Sequence, residues 1–95
     1  GMKIAYAALQ ASKANRPPAA KAAGFSEEQQ FFLAHAQGWC TNRRDEEARR
    51  RVVTDPHSPP RFRVNGVVVN LPEFAAAFQC KEGSKMAPVD RCTVW

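Results

Sequence analysis

Residues 55–60, Asp55-Pro56-His57-Ser58-Pro59-Pro60, hold a histidine among three prolines. Proline fixes its own φ, lacks an amide donor and restricts the residue before it, so this stretch cannot be helical and samples few conformations. A rigid loop is a good place to hold an imidazole, which can donate or accept a proton near neutral pH. Asp55, two residues earlier, can orient the ring or cap a turn. On pattern alone, a solvated loop histidine is the plainer reading of His57. The other chemically able residues are few: His35, and three cysteines at 40, 80 and 92. No C-x-x-C pair is present, and His35 and Cys40 lie five apart, poorly placed to share a helix face. A catalytic zinc takes three protein ligands with an open fourth position. No such set is visible, so no metal is expected on this chain. The odd cysteine count suggests a missing partner or a free thiol.

The elements that must position this loop read as mainly helical. Met2 to about Ala14 has Ile4, Ala5, Ala8 and Leu9 at helical spacing, and Arg16-Pro17-Pro18 ends it. An Ala/Pro/Lys linker, residues 15–24, follows and reads as exposed and mobile. Ser26-Glu27-Glu28-Gln29 is a capping box, in which serine and glutamine satisfy each other's orphan amides. Phe32, Ala36, Trp39 and Cys40 then form an apolar stripe. Asp45 to about Val53 reads as a third helix braced by Asp45–Arg49, Glu46–Arg50 and Glu47–Arg51 at i, i+4. Phe62, Val64 and Val67-Val68-Val69 suggest a short extended segment, with Asn65-Gly66 as a tight turn. Asn70 is expected to cap a last helix through Leu71-Pro72-Glu73, with Phe74, Ala77 and Phe78 on its apolar face. That helix ends near Cys80, with Gly83 as a stop. The tail to Val94-Trp95 is expected to pack down.

The chain has 95 residues, 14 Lys+Arg against 9 Asp+Glu and a net charge of +5. This is one small domain at most. Its charge reads as a solvated cationic surface rather than a nucleic-acid stripe, because no aromatic residues interleave with Arg49-Arg50-Arg51 to stack bases. No run of about 18 apolar residues is present to span a membrane, and no signal peptide is visible. Gly1-Met2 reads as a tag remnant before a start, which fits a short open reading frame or a piece of a longer protein.

Several stretches, taken in order, resemble the end of the neprilysin and endothelin-converting-enzyme family of zinc metallopeptidases. They are Phe31-Phe32-Leu33-Ala34-His35-Ala36-Gln37-Gly38-Trp39-Cys40, Asp55-Pro56-His57-Ser58-Pro59, Phe62-Arg63-Val64-Asn65-Gly66, and Asn70, Phe74, Ala77-Phe78 and Cys80. Met86, Pro88, Cys92 and Val94-Trp95 continue the likeness, and Lys3-Ile4-Ala5-Tyr6 resembles the segment after the family's third zinc ligand. The resemblance covers essentially the whole chain. It implies a mainly α, small helical C-terminal subdomain of a thermolysin-like metallopeptidase fold, with a proline-rich loop and a short extended segment. The family's zinc motifs, H-E-x-x-H and E-x-x-x-D, are not in the chain. The likeness therefore implies zinc in the full-length parent, none bound here, and a chain inactive alone.

In such an enzyme the metal-bound water attacks a peptide carbonyl, and a donor aimed at the resulting oxyanion favours the transition state. The resemblance reverses the plain reading of His57 and makes it that donor, with Asp55 orienting it. It makes Arg63 the substrate-binding arginine, in preference to Arg61, and Gly38 with Trp39 the wall of the pocket for the residue after the scissile bond. Gly38 departs from the larger aliphatic residue often found there. His35 matches no family site and reads as structural. Cys40, Cys80 and Cys92 match cysteines that pair upstream in disulfide-bonded members, which implies an extracytoplasmic parent. The implied partners are a peptide substrate, cleaved on the amino side of a hydrophobic residue, and the missing zinc-binding part. Exposed apolar surface and self-association are expected of such a piece. The rival reading is a stand-alone, non-catalytic peptide- or protein-binding module from a truncated gene.

Overall fold

A computed structural model describes residues 1–93. The expected packing of Val94-Trp95 lies outside the described residues. Five helices follow one another: α1 (Met2–Lys13), α2 (Glu27–Gly38), α3 (Asp45–Thr54), α4 (Pro60–Val68) and α5 (Pro72–Ala77). The fold is mainly α. Among the described residues the only β pairings are two isolated bridges, Ala22 with Phe25 and Ser84 with Ala87. The Cα radius of gyration is 15.6 Å, against about 12 Å for a compact chain of this length. The shape is accordingly long, 47 × 29 × 24 Å.

α2 is the hub, packed against α4 and α5. It starts where the sequence places it: the Ser26 side chain accepts from the Gln29 amide (3.3 Å), and the Gln29 side chain accepts from the Ser26 amide (2.9 Å). Its Phe32 is 2% exposed and lies among the rings of Tyr6, Phe31, Phe74 and Phe78, with centroids 5.2–6.4 Å away. Tyr6 brings in α1, so the inner face of that helix is Met2, Tyr6 and Leu9 rather than the expected Ile4, Ala5, Ala8 and Leu9. Ile4 is 72% exposed. A large ring set against two phenylalanines buries more apolar area than a branched aliphatic on a face with no partner. Ion pairs from Lys13 to Glu28 and from Arg16 to Glu27 clip the two helices together. The linker between them is exposed, but it closes in a turn with Ala23 and Gly24 both at positive φ. Gln30 ties that turn down through the carbonyls of Ala20 and Phe25.

Of the three ion pairs expected along α3, Glu47–Arg51 forms. Glu47 takes both Arg50 (2.8 Å) and Arg51 (3.1 Å), and the Asp45–Arg49 and Glu46–Arg50 pairs do not form. The expected extended segment with a turn at Asn65-Gly66 is overturned: residues 60–68 are helix α4. Pro60 at its first position has φ already set for a helix and no amide to leave orphaned. Helix α4 packs on α2, with Val64 half-buried and Val68, four residues on, 2% exposed. No second strand lies alongside among the described residues, so Asn65-Gly66 has no hairpin to close.

The expected Asn70 cap is also absent. Leu71 holds the cap position of α5 without a side-chain bond. Asn70 instead donates to the Gly66 carbonyl (2.8 Å) and accepts from the Cys92 amide (2.8 Å), tying the end of α4 to the tail. α5 stops earlier than expected, with Gln79 at φ 52° and the amides of Gln79 and Cys80 bonded to the carbonyls of Ala76 and Ala75. This is the left-handed stop in which glycine is the usual residue. Gly83, the expected stop, takes φ 81° in the turn after it. Ala87, 1% exposed, completes the small core of Phe32 and Val68.

Candidate functional site

The end of α2, the body of α3, the proline loop and the start of α4 enclose one open groove of about 940 Å³. Of the residues singled out from sequence, Trp39, Asp55, His57 and Arg63 line it, and so does Arg61. Gly38, the last residue of α2, is exposed and outside the lining. A Cβ at this glycine would meet nothing within 4 Å, so its small size relieves no crowding within this chain. Cys40 lines the groove as a free thiol, and Cys80 and Cys92 are free as well. His35 is away from the lining, half-buried, with its Nε2 unpartnered.

The loop is organised around Asp55, whose two oxygens have different jobs. Oδ1 accepts from the His57 amide (3.0 Å) and lies 2.8 Å from His57 Nδ1. Oδ2 faces Arg51 Nη1 at 3.4 Å. The His57 amide and ring hydrogen bonds hold the Asp55 carboxyl below the usual carboxylate range, and the charges of His57 and Arg51 add to this. An ionised carboxylate only accepts, so Nδ1 carries the proton in this contact. The other ring nitrogen, Nε2, then carries a proton in the imidazolium form and a lone pair in the neutral one. The ring is 70% exposed on its side chain, open to a ligand in the groove.

Arg63 is fixed by two contacts. Its Nε donates to the Ser58 carbonyl at 3.0 Å, and its guanidinium carbon stands 4.8 Å from the Trp39 ring centroid. Such cation–π contacts contribute about 0.5–2 kcal/mol. The two terminal nitrogens of the guanidinium have no partner among the described residues. Trp39 therefore has one face under a cation, in addition to lining the groove. Sequence reasoning missed Arg51. Its signal was present: Arg51 and Asp55 stand at i, i+4 across the end of a helix.

The sequence profile of peptidase family M13 matches residues 1–94. The chain belongs to peptidase family M13. Among its M13 relatives are an endothelin-converting enzyme homolog of Locusta migratoria, 44% identical, and human endothelin-converting enzyme 1, 42% identical. Each is matched over all of this chain and 13% of its own length. Neprilysin-3 of Drosophila melanogaster is 43% identical over all of the chain and 12% of that protein. The chain thus spans about one eighth of the length of the curated relatives it matches. A zinc metalloprotease of Mycobacterium tuberculosis, solved by cryo-EM in an open state, superposes with a TM-score of 0.84 at 40% identity, covering 99% of this chain and 15% of that one. The described residues of this M13 chain contain no group of three or more His, Cys, Asp or Glu that could hold a metal ion. The residues present therefore do not fit a zinc site.

Proposed function

We propose that this chain is the C-terminal, substrate-side portion of a zinc metalloendopeptidase, with the metal held by a part of the enzyme outside it. The observation that carries this reading is the pairing of His57 with Asp55 in the same groove as Arg63 on Trp39. In this reading His57, with Nδ1 engaged by Asp55, presents Nε2–H as an imidazolium to the oxygen that gains charge when a peptide carbonyl becomes tetrahedral. Arg63 offers its free nitrogens to a substrate carbonyl, and Trp39 and the neighbouring apolar lining receive a hydrophobic side chain. None of these groups forms or breaks a covalent bond with the substrate. They bind and orient it, and they favour the tetrahedral state over the planar one. The chain alone is inactive in this reading.

Exposed Val53 (85%) and Phe62 (65%), both outside the groove lining, support a further element of the proposal, that the metal-holding part packs against α3 and α4. The test is an NMR titration of the chain with two blocked peptides of one sequence, one of them carrying a phosphinic group in place of the scissile amide. Larger shifts at His57 and Arg63 with the tetrahedral compound are expected. Equal shifts, or none at His57, refute the donor role. In an enzyme reassembled with the metal-holding part, His57→Ala lowers kcat about 10²–10³-fold, as for other oxyanion donors. Chelator-sensitive peptide hydrolysis by the chain alone would overturn the division of labour.

A further inference from the structure

The groove is lined by five arginines, Arg43, Arg49, Arg51, Arg61 and Arg63, against the single carboxylate of Asp55. Two of the five are committed. Arg51 lies between Glu47 and Asp55, and Arg63 lies on Trp39 with its Nε on Ser58. Arg43, Arg49 and Arg61 are exposed and have no hydrogen-bond or ion-pair partner among the described residues. Arg49 is the informative case. The sequence offers it Asp45 four residues earlier, yet that pair does not form among the described residues; the only acid of α3 with an ion pair there is Glu47, which serves Arg50 and Arg51, and Arg49 lines the groove.

Three unpaired guanidinium groups around one concave, partly apolar surface raise the local concentration of anions, and this field reaches about 8 Å at physiological ionic strength. Each group presents a planar fork that matches a carboxylate. Ala48 and Val52 of α3 and Pro59, Pro60 and Val64 beside the loop supply apolar walls between these cations. Nucleic acid fits less well, because the indole that could stack a base already has a face under Arg63.

We propose that this groove selects peptides carrying acidic side chains next to their hydrophobic residue, with Arg43, Arg49 and Arg61 as the specificity-determining residues. The inference rests on the peptide-binding reading above and names its substrate class.

The test uses the whole chain and two peptides blocked at both ends, identical except for glutamate against glutamine on either side of a phenylalanine. Kd is read from amide and guanidinium NMR shifts at ionic strengths of about 0.01 M and about 0.15 M. The glutamate peptide binds about three- to thirtyfold more tightly at the lower ionic strength, as expected for a few solvent-exposed pairs, and its advantage shrinks at the higher one. Replacing Arg43, Arg49 and Arg61 together with glutamine removes the advantage, so that the two peptides bind the variant with the same Kd. All three are exposed, so the fold survives, and the far-UV circular dichroism spectrum checks this. Equal Kd values for the two peptides overturn the selectivity and leave the peptide-binding reading standing. An advantage that persists in the triple variant overturns the assignment of these arginines. Failure of both peptides to shift groove resonances overturns the peptide-binding reading and this inference with it. Tighter, salt-dependent binding of a single-stranded oligonucleotide than of the glutamate peptide would also overturn the proposal.

Discussion

Replacing Phe32 with alanine tests where the stability of this chain resides. Phe32 is 2% exposed and edge-on to Phe31 and Phe74, with centroids 5.2 and 5.3 Å away, and it stacks on Tyr6 at 5.4 Å. A buried Phe→Ala change costs about 3–5 kcal/mol, and the lost ring pairs place this site toward the upper end of that range. A chain of this size is stable by about 5–15 kcal/mol. With a core this small, this one belongs near the bottom, so the variant retains about 1 kcal/mol, a folded-to-unfolded ratio of only about five.

The matched control is Phe62→Ala, the same chemical change at a ring that is 65% exposed, where the cost falls within about 0.5 kcal/mol. Urea unfolding followed by circular dichroism gives both values. A Phe32 cost below about 1.5 kcal/mol, or equal costs at the two positions, refutes the ring cluster as the core. Phe32 also stands seven residues, about two helical turns, before Trp39. The same variant should therefore loosen the support under Arg63, seen as the Trp39 indole resonance moving toward its unfolded position.

Arg51→Gln removes the contact to Asp55 Oδ2, so exchange of the His57 amide quickens. Arg50→Gln, which also removes a partner of Glu47 but does not touch Asp55, leaves that rate unchanged, and equal rates in the two variants would discard Arg51 as a positioning residue. Arg63→Lys retains the charge but loses the flat stack on Trp39 and the Nε–H bond to Ser58, so the Trp39 indole shift moves as far as in Arg63→Met. An indole shift that stays at its wild-type position in the lysine variant counts against the stacked geometry. Asp55 is held below its ordinary value near 3.8. Its contribution to stability is whole above that pH and lost as pH falls through the lowered folded value. A carboxyl carbon titration of Asp55 with its midpoint at or above 3.8 contradicts this. The Lys13–Glu28 clip has two edges: Glu28 is lowered from 4.5 by the Lys13 hydrogen bond, and Lys13 is raised from 10.5 by the same bond. Contacts between Tyr6 and Phe31, followed by nuclear Overhauser effects, should therefore hold steady between those values and weaken only in more acid or more alkaline solution.

The parts of the fold that were legible in the sequence are those decided locally. The Ser26–Gln29 box and the stop imposed by Arg16-Pro17-Pro18 depend on a few adjacent residues, and α1 and α2 begin and end close to where these signals fall. α4 was missed because its signals are ambiguous alone. Three consecutive valines favour strand, and Asn65-Gly66 favours a hairpin. Both preferences yield to Pro60 at the first helical position and to the packing of α4 on α2 with Val68 buried, which no local window contains. Asn70 looked like a cap because its spacing to Glu73 is right. Its side chain is instead taken by Gly66 and by Cys92, and the latter lies 22 residues away. In the groove, the rigidity of the 55–60 loop was readable. The stacking of Arg63 on Trp39 was not, since it requires α4 to be a helix.

The polar contacts that orient the groove come from a short span. Among the described residues, the side-chain hydrogen bonds and ion pairs of Arg51, Asp55, His57 and Arg63 are made with one another, with Ser58 and with Glu47, and Trp39 is the one contributor from elsewhere. α3 itself buries no residue. What fixes the loop is thus the Asp55 turn, three prolines and the start of α4, all of them features that restrict the unfolded chain as well as the folded one. Because that restriction is in place before any ligand arrives, less ordering is needed when one binds. Small cores tolerate little added strain, and a site built from local backbone constraints draws on the Phe32 cluster only through Trp39, which α2 holds under Arg63. The imidazole–carboxylate pair can therefore keep its geometry on a thin fold, while Val53 of α3 and Phe62 of α4 stay exposed.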